Sequence, residues 1–407
     1  MGDSSPGCRP DSEPDKILDE ANSGAGLYIH VPFCRSKCDY CAFPSSTIFS
    51  PERREAWQAA VLAQLAKELT QGQLQEQAGS WPLFTTLYVG GGTPSLLSPD
   101  ELATLLVAVK PVLQPQAEIT LEANPESLCE SWLRVAQDHG VSRLSLGIQS
   151  FDAQVRQAVG RLSTQGDLER ARDLLERVWH GQFSLDLILG LPFQTPELQL
   201  KDAEIALSWN PHHLSAYPLS WEKGTVLTKK FRESESEDLA WDEVRALWQE
   251  NGYEWYEVAN FARPGAQCQH NRGYWEQRPY LGIGSGAVTT YPAQRSANGE
   301  VFWRRRTFGT DPTLFFTHQE TEILTPLDCR KEALLLGLRL STGLSRAQWE
   351  RCSPRPWEQV LFNTLQRFEP WFQDTSHSLT LKPGVRCWQD ELLRHAFAEL
   401  DVDDTRR

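Results

Sequence analysis

Long apolar runs are missing from this chain. No stretch approaches the roughly 20 residues needed to span a bilayer, and the first 25 residues lack the apolar core of a signal peptide. Positive charge is also in deficit. With 40 Lys and Arg against 54 Asp and Glu the formal net charge is −14, which argues against a general attraction to nucleic acid or anionic membrane. The triplet Arg304-Arg305-Arg306 is the local exception and reads as a solvated strand or loop face. Nor is there a disulfide framework: nine cysteines without regular spacing fit a reducing compartment and predict a cytoplasmic protein. What is present is an ordinary globular composition, 40% hydrophobic over 407 residues, enough for two or three domains. The leader over 1–25, rich in Asp, Ser, Pro and Gly, reads as a disordered tail.

Three of the cysteines do follow a rule. The apolar run from Gly26 to Phe33 feeds directly into Cys34, Cys38 and Cys41, spaced C-x3-C-x2-C, so a strand hands the chain to a loop whose thiolates can converge on one metal centre. An iron–sulfur cube normally takes four cysteines. A set of three leaves one iron open, as catalytic metal sites keep an open position, and S-adenosylmethionine could chelate it through its amino and carboxylate groups. The competing reading is a structural zinc with His30 as fourth ligand.

Downstream, strand-like and helix-like runs alternate. Strands are expected at Leu27–Val31, Thr86–Val89, Glu118–Glu122, Arg143–Ile148, Ser184–Leu189 and His213–Tyr217. Between them come helices starting at Pro51, after the Ser98 cap, at Ser127, Ala153, Thr164 and Pro196. Six successive β-α units predict parallel strands with right-handed crossovers, a partial (β/α)6 barrel of TIM type with its active site at the C-terminal strand ends.

Suspicious residues fall at those ends. Strand two runs into Gly90-Gly91-Gly92-Thr93-Pro94, whose backbone can approach a ligand closely and offer N–H groups to a carboxylate. Strand three ends at Glu122, strand four at Gln149, and Arg161 follows the next short helix. Asp186 lies inside the apolar strand five, where an acid is costly unless paired, with Arg161 or a ligand as candidate partners.

The cysteine loop with Tyr40 before its last cysteine, the GGGTP turn, LEANPE, RLSLGIQSF and DLILGLP resemble, in this order, the coproporphyrinogen oxidase-like branch of the radical S-adenosylmethionine superfamily. The resemblance runs from about Gly26 into the C-terminal region. It implies a [4Fe–4S] cluster on Cys34, Cys38 and Cys41, with Tyr28, Tyr40, Phe43, Gly91, Gly92, Thr93, Glu122, Gln149, Arg161 and Asp186 around the cluster and the S-adenosylmethionine pocket. Oxygen-independent coproporphyrinogen III oxidases of this branch carry a further cysteine two residues beyond the third; Phe43 stands there. Ser163 stands where many relatives have a histidine.

A second divider is His270-Asn271-Arg272-Gly273-Tyr274-Trp275, which is similar to the HNxxYW motif of the heme chaperone subgroup, HemW. An imidazole can ligate heme iron and Tyr274 and Trp275 offer flat apolar faces to porphyrin, while Cys268 is an alternative thiolate. The resemblance implies a heme chaperone that passes heme to recipient hemoproteins and needs an electron donor for its cluster. The alternatives are coproporphyrinogen III decarboxylation and a zinc-stabilised binding module, and the oligomeric state stays open between monomer and homodimer.

The expected layout is a radical S-adenosylmethionine barrel over 26–225, an α/β extension with the HNxxYW motif over 226–315, and a small helical, winged-helix-like cap over 316–407. Within the extension a helix is expected at Glu235–Glu250, an edge strand at Glu254–Phe261 and a glycine-rich loop at Tyr280–Ala287. Cys329, Cys352 and Cys387 read as buried apolar residues.

Overall fold

The structure is a computed structural model that describes residues 24–71, 81–232, 239–296 and 299–405. The leader expected to be disordered, apart from Gly24 and Ala25, and the side chain of Cys387 lie outside the described residues.

The chain opens with the expected alternation. Strand β1 (Gly26–Val31) is followed by α1 (Pro51–Gln71), β2 (Phe84–Gly91), α2 (Pro99–Val109), β3 (Leu113–Ala123), α3 (Glu130–Asp138) and β4 (Arg143–Gln149). Then come α4 (Ala153–Ala158), α5 (Gln165–Arg177), β5 (Gln182–Leu189), α6 (Pro196–Ser208) and β6 (His213–Pro218). The starts are written locally: Ser98 and Thr164 close capping boxes with Glu101 and Asp167, which satisfies backbone donors the first turn would leave open.

Neighbouring strands β1 to β6 pair in parallel, in sequence order. Because side chains alternate along a strand, Leu27, Ile29, Leu87, Val89, Leu121, Leu144, Leu146, Leu185, Leu187 and Leu214 fall on one face and are buried in the main apolar core. Each fully buried aliphatic side chain contributes about 1.5–3 kcal/mol. The other face carries Tyr88, Thr120, Glu122, Arg143, Ser145, Ser184, Asp186, His213, Ser215 and Tyr217, and these line a cavity of about 770 Å³. An interior this polar is built for a ligand rather than for packing.

After β6 the chain adds α7 (Leu227–Lys230), α8 (Trp241–Glu250), β7 (Glu254–Trp255), β8 (Asn260–Ala262), α9 (Gln269–Trp275), β9 (Tyr280–Ile283), β10 (Val288–Arg295), β11 (Val301–Phe308) and β12 (Gln319–Leu324). Three expectations change here. Only the second half of Tyr280–Ala287 is a glycine-bearing turn: Tyr280–Ile283 form β9, which pairs in parallel with β1, so β1 lies inside the sheet. The edge strand over Glu254–Phe261 is two short antiparallel strands on the flank of β6. The helix expected from Glu235 begins at Trp241, and 233–238 lie outside the described residues. The full sheet runs β12-β11-β10-β9-β1-β2-β3-β4-β5-β6-β8-β7, an open partial barrel extended by antiparallel strands at both ends.

The basic triplet lies on β11. Arg305 pairs with Glu322 and Glu332 and Arg306 with Glu68, so two of the three arginines are ion-paired rather than simply solvated.

The C-terminal part comprises α10 (Pro326–Gly337), β13 (Leu344–Ser345), α11 (Arg346–Glu350), α12 (Trp357–Val360), α13 (Phe362–Arg367), β14 (Phe372–Asp374), β15 (Ser378–Leu381) and α14 (Gln389–Thr405). A three-stranded sheet, β13-β15-β14, and the helices enclose a second core that takes in Val301, Trp303 and Leu324 of β11 and β12. Cys329 and Cys352 are buried there, and burial pushes the Cys352 thiol up to about 12. Among the described residues no helix is long and apolar enough to cross a membrane.

Candidate functional site: a cysteine loop over a polar barrel

The loop after β1 is pinned at several points. Cys34 N–H donates to Ser46 O at 3.0 Å, Asp39 N–H to Val159 O at 3.0 Å, and Cys41 N–H to Cys38 O at 3.0 Å. Lys230 of α7 reaches Asp39 at 2.6 Å. Cys34, Cys38 and Cys41, each half-buried, thereby open together onto the mouth of the cavity, with Tyr40 and Phe43 on the same wall. Phe43 is 66% exposed.

Both ring nitrogens of His30, the alternative fourth zinc ligand, are engaged within the protein. Its Nδ1 shares a hydrogen bond with Tyr28 Oη at 2.9 Å and its Nε2 with Pro44 O at 2.8 Å, and burial pushes its pKa down. Among the described residues no three His, Cys, Asp or Glu side chains form a compact single-ion site.

A larger iron–sulfur centre suits the surroundings. Thr93 Oγ1 lies 3.9 Å from Cys34 Sγ and Arg161 Nη1 3.6 Å from Cys38 Sγ, so donors face the sulfurs. Gly92 keeps the cradle open: a Cβ there would stand 2.6 Å from Phe33 O and 3.0 Å from Cys34 Sγ. Burial raises the Cys34 and Cys41 thiols above their usual range, so both need a cationic centre to give up their protons.

Below the mouth the strand ends present the other expected residues. Glu122 accepts from Tyr88 Oη at 2.8 Å and from Gly91 N–H at 2.9 Å, and burial raises its pKa to about 7. Arg161 donates to Gly147 O and to Asn124 Oδ1 at 3.0 Å. Asn124 Nδ2 in turn donates to Thr93 Oγ1 at 3.2 Å. Gln149 lines the cavity with φ at +69°, in a bulge of the β4–β5 ladder. A side chain held in this left-handed region is a strained conformation typical of ligand sites. Asp186 is not paired with Arg161. It accepts from Ser145 Oγ at 2.6 Å, Ser215 Oγ at 2.7 Å and Ser184 Oγ at 3.0 Å.

The HNxxYW segment forms α9, at the opposite end of the barrel. Its Cys268 and Asn271 reach the cavity, whereas His270, Tyr274 and Trp275 do not. His270 is buried beside the starts of β1 and β2. Its Nδ1 shares a hydrogen bond with Thr86 Oγ1 at 2.7 Å and its Nε2 with Tyr274 Oη at 2.9 Å, and burial lowers its pKa to about 3. Trp275 is half-buried under the Arg339 guanidinium. Tyr28 does not line the cavity either; it stacks on Tyr88 with ring centroids 6.2 Å apart.

Sequence reasoning missed Tyr88, Asn124, the serine trio around Asp186 and His213. Tyr88 and the serines carry a signal in hindsight, since they share the strand parity of Glu122 and Asp186. For Asn124 only the proline after it marks a turn.

Three cysteines above a ring of polar strand ends define a radical S-adenosylmethionine domain, and residues 28–202 match the model of the Radical SAM superfamily. The chain is 34% identical over 337 residues to the heme chaperone HemW of Synechocystis sp., covering 79% of each protein. It is 33% identical over 381 residues to the mitochondrial Radical S-adenosyl methionine domain-containing protein 1 of Bos taurus, covering 90% of this chain and 84% of the relative. The solved structure of coproporphyrinogen III oxidase (HemN) from Escherichia coli superposes with a TM-score of 0.71 over 95% of this chain and 92% of that one; at 19% identity the likeness is one of fold. The chain belongs to the HemW family of radical S-adenosylmethionine proteins. Membership implies a [4Fe–4S] cluster and S-adenosylmethionine.

Proposed function

We propose that this protein is a heme chaperone, holding a [4Fe–4S] cluster and S-adenosylmethionine in the barrel and heme through the Cys268–Trp275 segment for delivery to recipient hemoproteins. The observation that carries this reading is identity above 30% to heme chaperones along most of the chain. Phe43, in place of the cysteine that marks the decarboxylating oxidases, supports it.

Cys34, Cys38 and Cys41 would hold the cluster. The cluster, with an external one-electron donor, would supply the redox chemistry of the class. Gly91, Gly92 and Thr93 line the wall where an anionic carboxylate would lie, although the Gly91 N–H is given to Glu122 and the Gly92 N–H to Val31 O; Glu122 suits ribose hydroxyls, and Arg161, Gln149 and Asp186 complete the polar wall. Heme ligation by His270 would exchange its Tyr274 hydrogen bond for iron at Nε2, while Thr86 keeps the ring oriented through Nδ1, as outer partners orient metal-bound histidines. Tyr274 and Trp275 would offer the porphyrin aromatic faces.

The barrel over 26–225 thus carries the cluster, 226–315 the heme segment, and 316–407 a cap. A reducing compartment such as the cytoplasm suits seven described cysteines, all unpaired.

The test is anaerobic reconstitution followed by heme titration, transfer to an apo-hemoprotein, and incubation with coproporphyrinogen III, S-adenosylmethionine and reductant. Heme uptake and release without protoporphyrinogen IX is expected. Formation of protoporphyrinogen IX overturns the chaperone reading. His270→Ala should weaken heme affinity, and an unchanged isotherm and spectrum remove His270 from the heme site.

A further inference from the structure

His270 is poorly explained by heme alone. In the structure its ring is enclosed and both nitrogens are engaged, yet it stacks flat on Tyr88, with centroids 5.2 Å apart and planes 27° apart. Tyr88 also stacks on Tyr28, its neighbour across the β1–β2 ladder. Tyr88 points its hydroxyl at Glu122 Oε1, 2.8 Å away, while Glu122 Oε2 receives the Gly91 N–H. A continuous column therefore runs from the floor of the barrel to the ligand wall: Tyr280, Tyr274, His270, Tyr88, Glu122. Its upper contacts leave no slack, because a Cβ on Gly90 would stand 2.8 Å from both the Glu122 carboxyl and the Tyr88 ring.

We propose that His270 is a positioning residue for the nucleotide pocket, acting through Tyr88 to fix the Glu122 carboxylate where it meets S-adenosylmethionine. This rests on the assignment of Glu122 to that ligand. A neutral imidazole suits the task, since it can donate to one neighbour and accept from the other while presenting a flat face. Thr86 sets the ring's rotation and Tyr274 its tilt, so Tyr88 has one place to stand. Without the ring, Tyr88 swings into the vacated space and Glu122 loses its donor.

The experiment measures S-adenosylmethionine binding to the anaerobically reconstituted protein, without heme, as a function of pH. The titratable groups facing Glu122 are Tyr28 on β1, Tyr88 on β2, Asp186 on β5 and Tyr274 on α9. Glu122→Gln identifies which part of the profile belongs to Glu122. His270→Ala should weaken binding about five- to tenfold, the size of one lost hydrogen bond. It should also move the half-binding pH upward, because Glu122 without the Tyr88 donor holds its proton to higher pH. Tyr88→Phe should do the same, and the double variant should go no further. Thr86→Val, which frees the same ring with little change of volume, should give a smaller shift in the same direction and keeps the test informative where His270→Ala does not fold. A lower melting temperature with wild-type affinity and half-binding pH in His270→Ala and Thr86→Val, while Tyr88→Phe shifts both, overturns the proposal. Wild-type binding by Glu122→Gln and Tyr88→Phe alike overturns instead the assignment of Glu122 to the ligand, and this inference with it.

Discussion

Among the described residues Glu122 has no cation as a hydrogen-bond partner; Tyr88 and the Gly91 amide hold it. Burial raises its pKa to about 7 from the usual 4.5. The folded, ligand-free protein thus keeps a proton that the unfolded chain releases, and the sign follows from linkage. The carboxyl's contribution is fully present below about 4.5 and is lost as pH rises toward about 7. The loss amounts to roughly 3 kcal/mol. Thermal melts across that window should show the native protein losing stability relative to Glu122→Gln; parallel curves would assign the pH dependence elsewhere. Gly92 yields a second expectation. Its alanine variant forces a methyl against Phe33 O and Cys34 Sγ, costing about 1–3 kcal/mol. Iron and sulfide bound per chain after reconstitution should fall, and undiminished loading would show that the loop accommodates the methyl.

At the level of elements, the turn from β4 into α4 is clasped from behind. Asp202 on α6 accepts from Ser150 Oγ at 2.6 Å, Phe151 N–H at 2.8 Å and Gln194 Nε2 at 2.9 Å. This clasp follows directly on Gln149, whose φ is positive. Asp202→Ala leaves three buried donors without their acceptor and should cost about 2–4 kcal/mol in denaturant unfolding. Weaker S-adenosylmethionine binding should accompany it, since Gln149 relaxes; binding equal to the native protein's would separate the clasp from the pocket.

The six β-α units were legible because apolar positions alternate with period two and several helix starts carry a Ser or Thr cap, as at Ser98, Thr164 and Thr195. β9 was not. Tyr280–Ala287 has the glycines of a turn, and only the burial of Leu281 and Ile283 beside β1 makes four of its residues a strand. The site was legible where a chemical group stands at a strand end, as Glu122 and Gln149 do. The partners of Asp186 were legible only as strand parity: Ser184 stands two residues before it on β5, but Ser145 and Ser215 reach it from β4 and β6 only in the fold. His270 was recognised as chemistry, but nothing local says that its ring faces Tyr88 on a strand far upstream.

For the whole molecule, Arg330 joins the cap to the sheet extension. Its side chain is fully buried and donates to Glu300 and to Asp404, each at 3.1 Å. Asp404 is 43% exposed, so the pair is worth less than a fully enclosed one. Arg330→Met should destabilise the second core by about 2–3 kcal/mol. Trp303, Trp349 and Trp357 lie in that core and Trp57, Trp132, Trp179, Trp209 and Trp248 in the main one, so tryptophan fluorescence should change in two steps in urea, the lower for the second core and the higher coinciding with loss of the barrel by far-ultraviolet circular dichroism. Coincident transitions would show that the two cores melt as one unit.

The placement of β1 has a bearing on biogenesis. The strand that launches the cysteine loop is flanked on one side by β2, made soon after it, and on the other by β9, made far later. A nascent chain on the ribosome, or a message truncated before Tyr280, therefore leaves the backbone of Gly26–Ile29 as a bare edge, open to foreign strands and proteases. The strand under the cysteine loop therefore gains its second neighbour only after translation has passed Ile283.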